Sequence, residues 1–228
     1  MNILIVDDEK EIADLLQLYL EGGDFHTFCC GSVGEARAVL GRESIDLALL
    51  DVMLPDGDGF SFCREIRERH TFPILMLTAK VEDRDKISGL AFGADDYITK
   101  PFNPLEVVAR VKAQLRRYRS YGAAPEKEAT LFIGALSISK QSHTCTHNGK
   151  ALSLTPIEFD ILWTLCQNRG SVVSSEELFE QVWGEKYLES NNTVMVHIRR
   201  LREKLGEPPR NPKIIKTVWG VGYKIDER

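Results

Sequence analysis

The 228-residue chain lacks long apolar runs, internal repeats and low-complexity segments. No window approaches the roughly 20 apolar residues that span a membrane, and the N-terminus lacks the basic and apolar regions of a signal peptide. The five cysteines are scattered, with no CxxC pair. This argues against a disulfide framework or a zinc ribbon and fits a reducing compartment. We therefore expect a cytoplasmic protein without a membrane partner.

Charge of one sign is not in large excess over the whole chain, but it is unevenly distributed. The formal net charge is −5, and residues 1–120 carry −6 while residues 121–228 carry +1. Residues 193–224 hold eight basic and two acidic residues, a local charge of +6. A local basic patch of this kind favours nucleic-acid binding.

Five short apolar runs alternate with helical periodicity in the first half of the chain. The runs cover 2–6, 25–30, 46–50, 73–77 and 96–99, and the helical segments cover 9–21, 33–40, 59–69, 83–92 and 104–117. In the last segment, Leu105, Val108, Val111 and Leu115 form the predicted apolar stripe. Five such units predict an α/β domain with a doubly wound, five-stranded parallel sheet in the flavodoxin-like order.

Polar residues follow four of these runs. Asp7 and Asp8 follow the first, Asp51 the third, Thr78 the fourth and Lys100 the fifth. Because the carboxyl ends of parallel strands share one edge of a sheet, we expect these side chains to meet there. A carboxylate can accept a phosphoryl group, and a hard cation such as Mg²⁺ can neutralise crowded acids. The hydroxyl and the ammonium can bind phosphoryl oxygens.

The backbone carbonyl of Met53 could complete the magnesium shell. One alternative is that the acids are helix caps or solvated loop residues, but this does not account for four strand ends with complementary chemistry. A metal-dependent phosphohydrolase of the haloacid-dehalogenase type is a second alternative. It requires an Asp two positions after the nucleophile, where this chain has Met53.

The second half follows a stretch of Gly, Pro and charged residues at 119–128, which we interpret as a linker. Asn148–Gly149 suits a type I′ turn, and His143, Cys145 and His147 have the period of two that would place them on one strand face. A metal site there is conceivable, but a fourth ligand is not nearby. Strand-like runs cover 130–133, 135–139, 144–147 and 151–154.

Three helices and a C-terminal hairpin come next. The helices begin at capping boxes 155–158 and 174–177 and at Asn191 or Asn192, and the last two end near Trp183 and Leu205. The hairpin covers 214–225 and bends around Gly220 and Gly222. This order predicts an α+β winged helix-turn-helix domain.

The third of these helices is amphipathic and basic. Its apolar face is predicted from the spacing of Val194, Ile198, Leu201 and Leu205. The opposite face then carries Val196, His197, Arg199, Arg200 and Lys204, with Arg202 beside them. A basic helix alone is often only a solvated face. Between two other helices and a glycine hairpin, however, it is typical of a helix that enters the major groove of DNA.

Four segments carry a family resemblance: VDDE at 6–9, LDVMLPDGDG at 50–59, MLTA at 76–79 and GADDYITKPF at 93–102. They resemble the receiver domain of two-component response regulators, across residues 1–118. The resemblance implies that Asp51 is the phosphoacceptor and that Asp7 and Asp8 hold Mg²⁺. It also implies that Thr78, Tyr97 and Lys100 are switch contacts and that the Lys100–Pro101 peptide bond is cis.

Residues 129–226 resemble the effector domain of OmpR/PhoB-type regulators, through LTPIEFDIL at 154–162, VMVHIRRLR at 194–202 and TVWGVGY at 217–223. Many relatives have Asp in place of Met195 and Arg in the wing in place of Trp219, which could instead pack under the wing. The longer strings around 191–194 and 215–224 are most similar to the regulators of vancomycin-resistance operons. The implied DNA-binding residues are Thr193, Val196, His197, Arg199, Arg200, Arg202, Lys204, Lys216, Trp219 and Tyr223.

The same resemblance implies a symmetric homodimer of phosphorylated receivers, with exposed ion pairs such as Lys86 with Glu106 and Asp96 with Arg110. On composition alone, this mixed-charge face would be simply solvated. The implied interface residues are Lys86, Asp95, Asp96, Glu106, Arg110 and Lys112.

We therefore expect a receiver at 1–118, a linker at 119–128 and a DNA-binding domain at 129–228. The chain would be a transcriptional regulator rather than an enzyme. A sensor histidine kinase would phosphorylate Asp51, and paired chains would bind tandem half-sites in promoter DNA near RNA polymerase. A phosphorelay carrier whose second half docks a protein is the alternative, and salt-dependent DNA binding would separate the two.

Overall fold

The chain divides into two compact units, Met1–Tyr118 and Arg119–Arg228. The structure is a computed structural model that describes residues 1–22, 25–79, 93–120, 130–184 and 193–226. The predictions for the helix at 83–92, for Lys86, for the caps Asn191 and Asn192 and for most of the linker lie outside these residues. None of the helices in the described ranges combines the length and the apolar character that a membrane span requires.

The first unit is built on a five-stranded parallel sheet. Its strands are β1 (Asn2–Val6), β2 (His26–Cys30), β3 (Leu47–Asp51), β6 (Ile74–Thr78) and β7 (Asp96–Thr99). Its described helices are α1 (Lys10–Glu21), α2 (Val33–Leu40), α3 (Gly59–Arg67) and α4 (Pro104–Ser120). The strand order is β2-β1-β3-β6-β7, so the predicted doubly wound sheet of flavodoxin-like order is confirmed.

Alternate strand residues feed two hydrophobic clusters on opposite faces of this sheet, as the two-residue period of a strand requires. In β1, Ile3 and Ile5 pack with α1 and α4, whereas Leu4 and Val6 pack with α2 and α3. Because both faces are covered by helices, the strands can be apolar at every position.

The apolar stripe of α4 differs from the predicted one. Val107, Val111 and Leu115 are buried, whereas Leu105 is exposed. The prediction is thus confirmed for Val111 and Leu115, whereas Val107 takes the place of Leu105. The helix also extends to Ser120, past its predicted end and into the predicted linker.

A short hairpin of β4 (Met53–Leu54) and β5 (Gly57–Asp58) follows β3 and was not predicted. Asp56 in its turn accepts hydrogen bonds from the backbone N–H groups of Val33 (2.8 Å) and Gly34 (2.9 Å) at the start of α2. Asp58 caps α3 by accepting from the Ser61 N–H at 3.0 Å. These contacts fix the segment that leaves the end of β3, where Asp51 lies.

The second unit begins with a four-stranded antiparallel sheet of β8 (Thr130–Ile133), β9 (Leu136–Ser139), β10 (Thr144–His147) and β11 (Lys150–Ala151). Three helices follow: α5 (Pro156–Gln167), α6 (Ser175–Trp183) and α7 (Thr193–Lys204). A smaller sheet contains β12 (Val173–Ser174), β13 (Ile215–Val218) and β14 (Gly222–Ile225), in the order β12-β14-β13. Both predicted capping boxes are present, and the winged helix-turn-helix prediction is confirmed.

Three local predictions for this unit need correction. The fourth strand covers Lys150–Ala151, not 151–154. Gly222 is not at the bend of the hairpin, because it lies in β14 opposite Val218, and only Gly220 has a positive φ (73°) there. His143 precedes β10 with a φ of 49°, so it does not share a strand face with Cys145 and His147, and the metal site considered there loses its basis.

Candidate phosphoryl site and nucleic-acid interface

An acidic cluster lies at the carboxyl edge of the parallel sheet. Asp7 follows β1 and Asp51 ends β3, and both are buried, whereas Asp8 is exposed. One ligand oxygen from each of Asp7, Asp8 and Asp51 lies within 4.8 Å of the others. The sequence prediction that these three acids meet is therefore confirmed as geometry.

The Lys100 ammonium occupies the centre of this cluster. Its Nζ lies 2.8 Å from Asp7 Oδ2, 2.9 Å from Asp51 Oδ2 and 3.0 Å from Glu9 Oε1. Glu9 was not among the predicted site residues, although it directly follows the two aspartates in the sequence. Its contribution depends on Lys100, which is distant in the chain and gives no local signal.

Burial and charge pull in opposite directions on these groups. Burial raises the pKa of Asp7, and the ion pair with Lys100 only partly offsets that effect. Burial also disfavours the charged form of Lys100, but its hydrogen bonds to the carboxylates of Asp7, Asp51 and Glu9 outweigh this and raise the pKa of the ammonium. The site thus holds excess negative charge that one ammonium does not neutralise.

The donor set fits Mg²⁺. Three carboxylates at short separation are the hard oxygen ligands that this cation prefers. The Met53 backbone lies beside them, since its N–H donates to Asp51 Oδ1 at 3.4 Å. The pocket is therefore compatible with magnesium bound by Asp7, Asp8 and Asp51.

Thr78 lies on β6 and Tyr97 lies on β7, the two strands that come after β3 in the sheet. Thr78 is the last residue of β6 and is buried, and it is one position past Leu77, the register partner of Asp51. The Lys100 N–H donates to the Thr78 carbonyl at 2.7 Å, which joins the ends of β6 and β7. Tyr97 is half-buried against the cluster under α2 and α3. The Lys100–Pro101 bond is cis, as the resemblance implied.

Gly59 is a site residue that the sequence analysis missed. A Cβ at this position would lie 2.0 Å from the carbonyl oxygen of Asp51, so only glycine allows α3 to begin this close to the end of β3. The Gly59 N–H also donates to the Val52 carbonyl at 2.9 Å. In the sequence, Gly59 is recognisable only as a glycine at the start of a helix, because its close contact with Asp51 depends on the three-dimensional structure.

Asp95 does not belong on the surface where it was predicted. It is 0% exposed, and its Oδ2 accepts from Arg67 Nη2 at 2.5 Å and from the Ile74 N–H at 2.8 Å. Arg67 also donates to the carbonyls of Gly93 and Phe72. This buried ion pair ties the chain before β6 to the chain before β7, so Asp95 cannot pair with a second receiver.

The remaining predicted interface residues are accessible to different degrees. Arg110 lies 3.0 Å from Asp96 and 3.0 Å from Glu106, within the one chain. Lys112 is exposed on α4, and Lys86 lies outside the described residues.

The basic helix α7 buries more of its surface than predicted. Its apolar face is confirmed, since Val194, Ile198, Leu201 and the following Leu205 are all buried. The prediction that the opposite face is exposed is wrong at three positions, because Val196, His197 and Arg200 (9% exposed) are buried as well. Thr193 is buried too, whereas Met195 and Arg199 are exposed. The His197 ring lies 5.5 Å from that of Trp183, which explains its burial against α6.

Two residues predicted to contact DNA form hydrogen bonds within the domain. Arg202 donates to the Ile215 carbonyl (2.7 Å) and to Thr217 Oγ1 (2.9 Å), so it fastens α7 to β13. Lys204 Nζ donates to the buried carboxylate of Glu158 at 2.6 Å. Arg199 remains exposed and pairs with Glu203 one turn later at 3.0 Å.

The C-terminal hairpin presents lysines and an indole. Lys216 and Lys224 lie opposite each other, and both contact the carboxylate of Asp226. Trp219 at the bend is 90% exposed, so the expectation that it could pack under the wing is wrong. Tyr223, in contrast, is buried beneath the guanidinium of Arg202, which lies 6.0 Å from the ring centre.

Comparison with known proteins agrees with this architecture. Residues 3–112 match the model of the response regulator receiver domain, and residues 149–225 match that of the C-terminal domain of transcriptional regulatory proteins. Regulatory protein VanRc of Enterococcus gallinarum is 60% identical over 231 residues, which cover 99% of each chain. Regulatory protein VanR of Enterococcus faecium is 54% identical over 228 residues, again with 99% of each chain covered. The chain belongs to the two-component response regulators of the OmpR/PhoB type.

Solved structures support the same assignment for this response regulator. A single-residue mutant of RitR is 29% identical and superposes with a TM-score of 0.76, with 100% of this chain and 99% of that one covered. A two-component response regulator from Clostridium difficile is 35% identical with a TM-score of 0.51, and covers 52% of this chain. The response regulator thus combines a receiver with a DNA-binding domain, and its family implies DNA and a sensor kinase as partners.

Proposed function

We propose that this response regulator accepts a phosphoryl group on Asp51 from a sensor histidine kinase and thereby controls transcription. The observation that carries the proposal is the meeting of Asp7, Asp8, Asp51 and Lys100 at one sheet edge. In the proposed step, a carboxylate oxygen of Asp51 attacks the phosphorus and the histidine nitrogen leaves. Asp7, Asp8, Asp51 and the Met53 carbonyl would hold Mg²⁺. The cation would neutralise negative charge on the phosphoryl oxygens.

Lys100 has two tasks in this proposal. Before the reaction it holds the Asp51 carboxylate in position through the 2.9 Å ion pair. After the reaction its ammonium can turn to a phosphoryl oxygen, because a lysine side chain is a mobile point charge. Thr78 can donate its hydroxyl to another of these oxygens, and Tyr97 would adjust its position with Thr78.

The phosphorylated receiver would then form a homodimer through the face that carries Asp96, Glu106, Arg110 and Lys112. Arg110 forms ion pairs with Asp96 and Glu106 of its own chain. If two chains exchanged these partners in a dimer, the number of ion pairs would stay the same. Ion pairs at a protein surface contribute about 1 kcal/mol or less each, so these contacts would define register more than affinity.

Paired effector domains would bind tandem half-sites in promoter DNA and contact RNA polymerase there. The groups that favour DNA contact are the exposed Arg199 on α7 and, on the hairpin, the exposed Trp219 and the half-buried Lys216. The high identity to VanRc and VanR, over nearly the whole chain, leads us to propose glycopeptide-resistance genes as the regulated targets.

Phosphorylation of the full-length protein by a small radiolabelled phosphodonor tests the first step. Asp51→Asn should abolish acid-labile labelling, because an amide is not a nucleophile under these conditions. Asp8→Asn is the matched control: it keeps the acceptor and should be labelled slowly, with recovery at raised Mg²⁺. Normal label on Asp51→Asn would remove Asp51 from this role.

DNA binding is tested with Arg199→Ala and a duplex selected by the full-length protein from a random pool. The loss at the selected site should be about 1–3 kcal/mol if Arg199 reads a base edge, and much smaller on random DNA. Equal losses on both DNAs would identify Arg199 as a phosphate contact instead. Affinity that does not fall as salt rises would contradict DNA binding itself and favour a protein partner.

A further inference from the structure

The Lys100 ammonium lies against the same carboxylate oxygens that a metal ion would need. Asp7 Oδ1 accepts the Glu9 N–H at 3.0 Å, and Asp51 Oδ1 accepts the Met53 N–H at 3.4 Å. The second oxygen of each carboxylate contacts the ammonium, at 2.8 Å for Asp7 Oδ2 and 2.9 Å for Asp51 Oδ2. Because the first oxygens are used by the backbone, Lys100 and a divalent cation compete for the second oxygens.

Glu9 is the third anion at the ammonium, and it lies outside the predicted set of metal ligands. Its Oε1 is 3.0 Å from Lys100 Nζ, and its side chain is 60% exposed, whereas those of Asp7 and Asp51 are 0% and 7% exposed. Glu9 is the N-cap residue of α1, but its side chain makes no capping hydrogen bond. The helix therefore does not use this carboxylate, which is the solvent-facing partner of the ammonium.

Hydrogen bonds fix the backbone at both members of this ion pair. The Glu9 carbonyl accepts N–H groups from the first turn of α1, and the Lys100 N–H donates to the Thr78 carbonyl at 2.7 Å. An ammonium displaced from the two buried carboxylates can therefore move only by rotation of the lysine side chain, which is long and flexible. Glu9 remains within its reach.

We propose that Glu9 is a positioning residue that receives the Lys100 ammonium when Mg²⁺ binds to Asp7 and Asp51. The inference rests on the proposed phosphorylation function and adds a residue to the preparation of its site. Without Glu9, the ammonium would leave two ion pairs and gain only water. With Glu9, one ion pair is kept throughout. Glu9 would thereby strengthen Mg²⁺ binding through Lys100 and keep the ammonium near Asp51, ready for a phosphoryl oxygen.

A double-mutant cycle on Mg²⁺ affinity separates this role from a simple charge effect. Calorimetric titration of the full-length protein with Mg²⁺, without a phosphodonor, gives the dissociation constant. Glu9→Gln should raise it by about 3- to 10-fold, because the displaced ammonium loses its partner. Lys100→Met removes the competing cation and should bind Mg²⁺ more tightly than the parent. In that background, Glu9→Gln should change the constant by less than about two-fold, because the charge of an exposed carboxylate is largely screened.

Two further variants test whether the contact or only the charge of Glu9 matters. Glu11→Gln removes another exposed acid at the start of α1 and is the matched control. It should leave the dissociation constant within about two-fold of its parent, with or without the Lys100 ammonium. Glu9→Asp keeps the charge but shortens the reach of the carboxylate. It should fall between the parent and Glu9→Gln, whereas an affinity equal to that of the parent would contradict a direct contact.

The Lys100 ammonium can also be observed directly by NMR of protein that carries isotope-labelled lysine. At saturating Mg²⁺, its signal should remain visible in the parent, because an ion pair slows exchange with water. The signal should be lost in Glu9→Gln. A merely structural role of Glu9 would alter thermal unfolding but would not produce this difference.

Two outcomes of the cycle would overturn the inference. An equal loss of Mg²⁺ affinity on Glu9→Gln, with and without the Lys100 ammonium, would make Glu9 a direct source of charge at the metal. An unchanged affinity in Glu9→Gln would show that the displaced ammonium needs no carboxylate. A parent protein that binds no Mg²⁺ would instead refute the magnesium site itself. Normal phosphoryl labelling of Asp51→Asn would refute the proposed function while leaving the Mg²⁺ cycle intact.

Discussion

Replacement of Asp95 by alanine should destabilise the receiver strongly, although the residue lies in a run of polar residues next to a strand. Its Oδ2 accepts hydrogen bonds from Arg67 Nη2 and from the buried N–H of Ile74. The Arg67 side chain is only 12% exposed, so water cannot fully replace the lost carboxylate. Asp95→Ala therefore removes the acceptor of two donors in the interior.

The magnitude follows from these two donors. A buried N–H left without an acceptor costs about 1–3 kcal/mol, and removal of one partner from a buried ion pair costs about 3–5 kcal/mol. Arg67 keeps its bonds to the carbonyls of Gly93 and Phe72, which reduces the second term. We expect a loss of about 3–4 kcal/mol in the free energy of unfolding, or about 10–20 °C in Tm.

Urea unfolding of the full-length protein, with hydrogen exchange of β6 peptides as the local readout, measures this loss. Asp14→Ala is the matched control, because Asp14 is an exposed acid on α1 and its removal should change stability by less than about 0.5 kcal/mol. Asp95→Asn should fall between the two, since an amide oxygen still accepts one hydrogen bond. A loss in Asp95→Ala within about 1 kcal/mol of the control would refute the interior role of Asp95 and return it to the surface.

Three further outcomes are expected. Because burial raises the pKa of Asp7, the native state binds the Asp7 proton more tightly than the unfolded state does, and stability falls as pH rises through that range. In EDTA, Asp7→Asn should thus be more stable than the parent at neutral pH and should lose this advantage in acid. The same variant should bind Mg²⁺ weakly in titrations. Gly59→Ala should lower Tm and slow phosphorylation by a small donor, because its Cβ collides with the Asp51 backbone; an unchanged rate would show that Asp51 tolerates the shift. Asp226→Asn should raise affinity for random DNA and steepen its salt slope, as two lysines lose a competing anion; equal slopes would place both lysines away from DNA.

The parallel sheet and its acidic edge were predictable because both depend on short-range patterns. An apolar run that ends in a polar residue identifies a buried strand and its carboxyl end, so Asp7, Asp51, Thr78 and Lys100 were found without knowledge of their contacts. Glu9 was missed because its partner Lys100 is far away in sequence. Asp95 and Asp96 illustrate the same limit. They are adjacent and chemically identical, and only the position of Arg67 makes one of them an interior residue.

Helix α7 shows where periodicity alone is insufficient. The spacing of Val194, Ile198 and Leu201 correctly identified one buried face, but it could not reveal how wide the buried arc is. His197 and Arg200 have polar side chains that suit either solvent or a tertiary contact, and the structure buries both. The residues that we expect to contact DNA are therefore Arg199 on this helix and those of the β13–β14 hairpin.

The geometry of Lys100 suggests why the proposed phosphorylation would reach the rest of the receiver. Its ammonium contacts three carboxylates, so a phosphoryl group on Asp51 replaces one of its partners with a more highly charged one. The Lys100 backbone cannot follow its side chain without disturbing β6, because its N–H is bonded to the Thr78 carbonyl at 2.7 Å. Phosphorylation would thus act on Thr78 in two ways: through a hydrogen bond from its hydroxyl to a phosphoryl oxygen, and through the hydrogen bond between its carbonyl and the Lys100 N–H. A change of charge at Asp51 would thereby become a change in position at the ends of β6 and β7, and β7 is the strand that carries Tyr97 and Asp96.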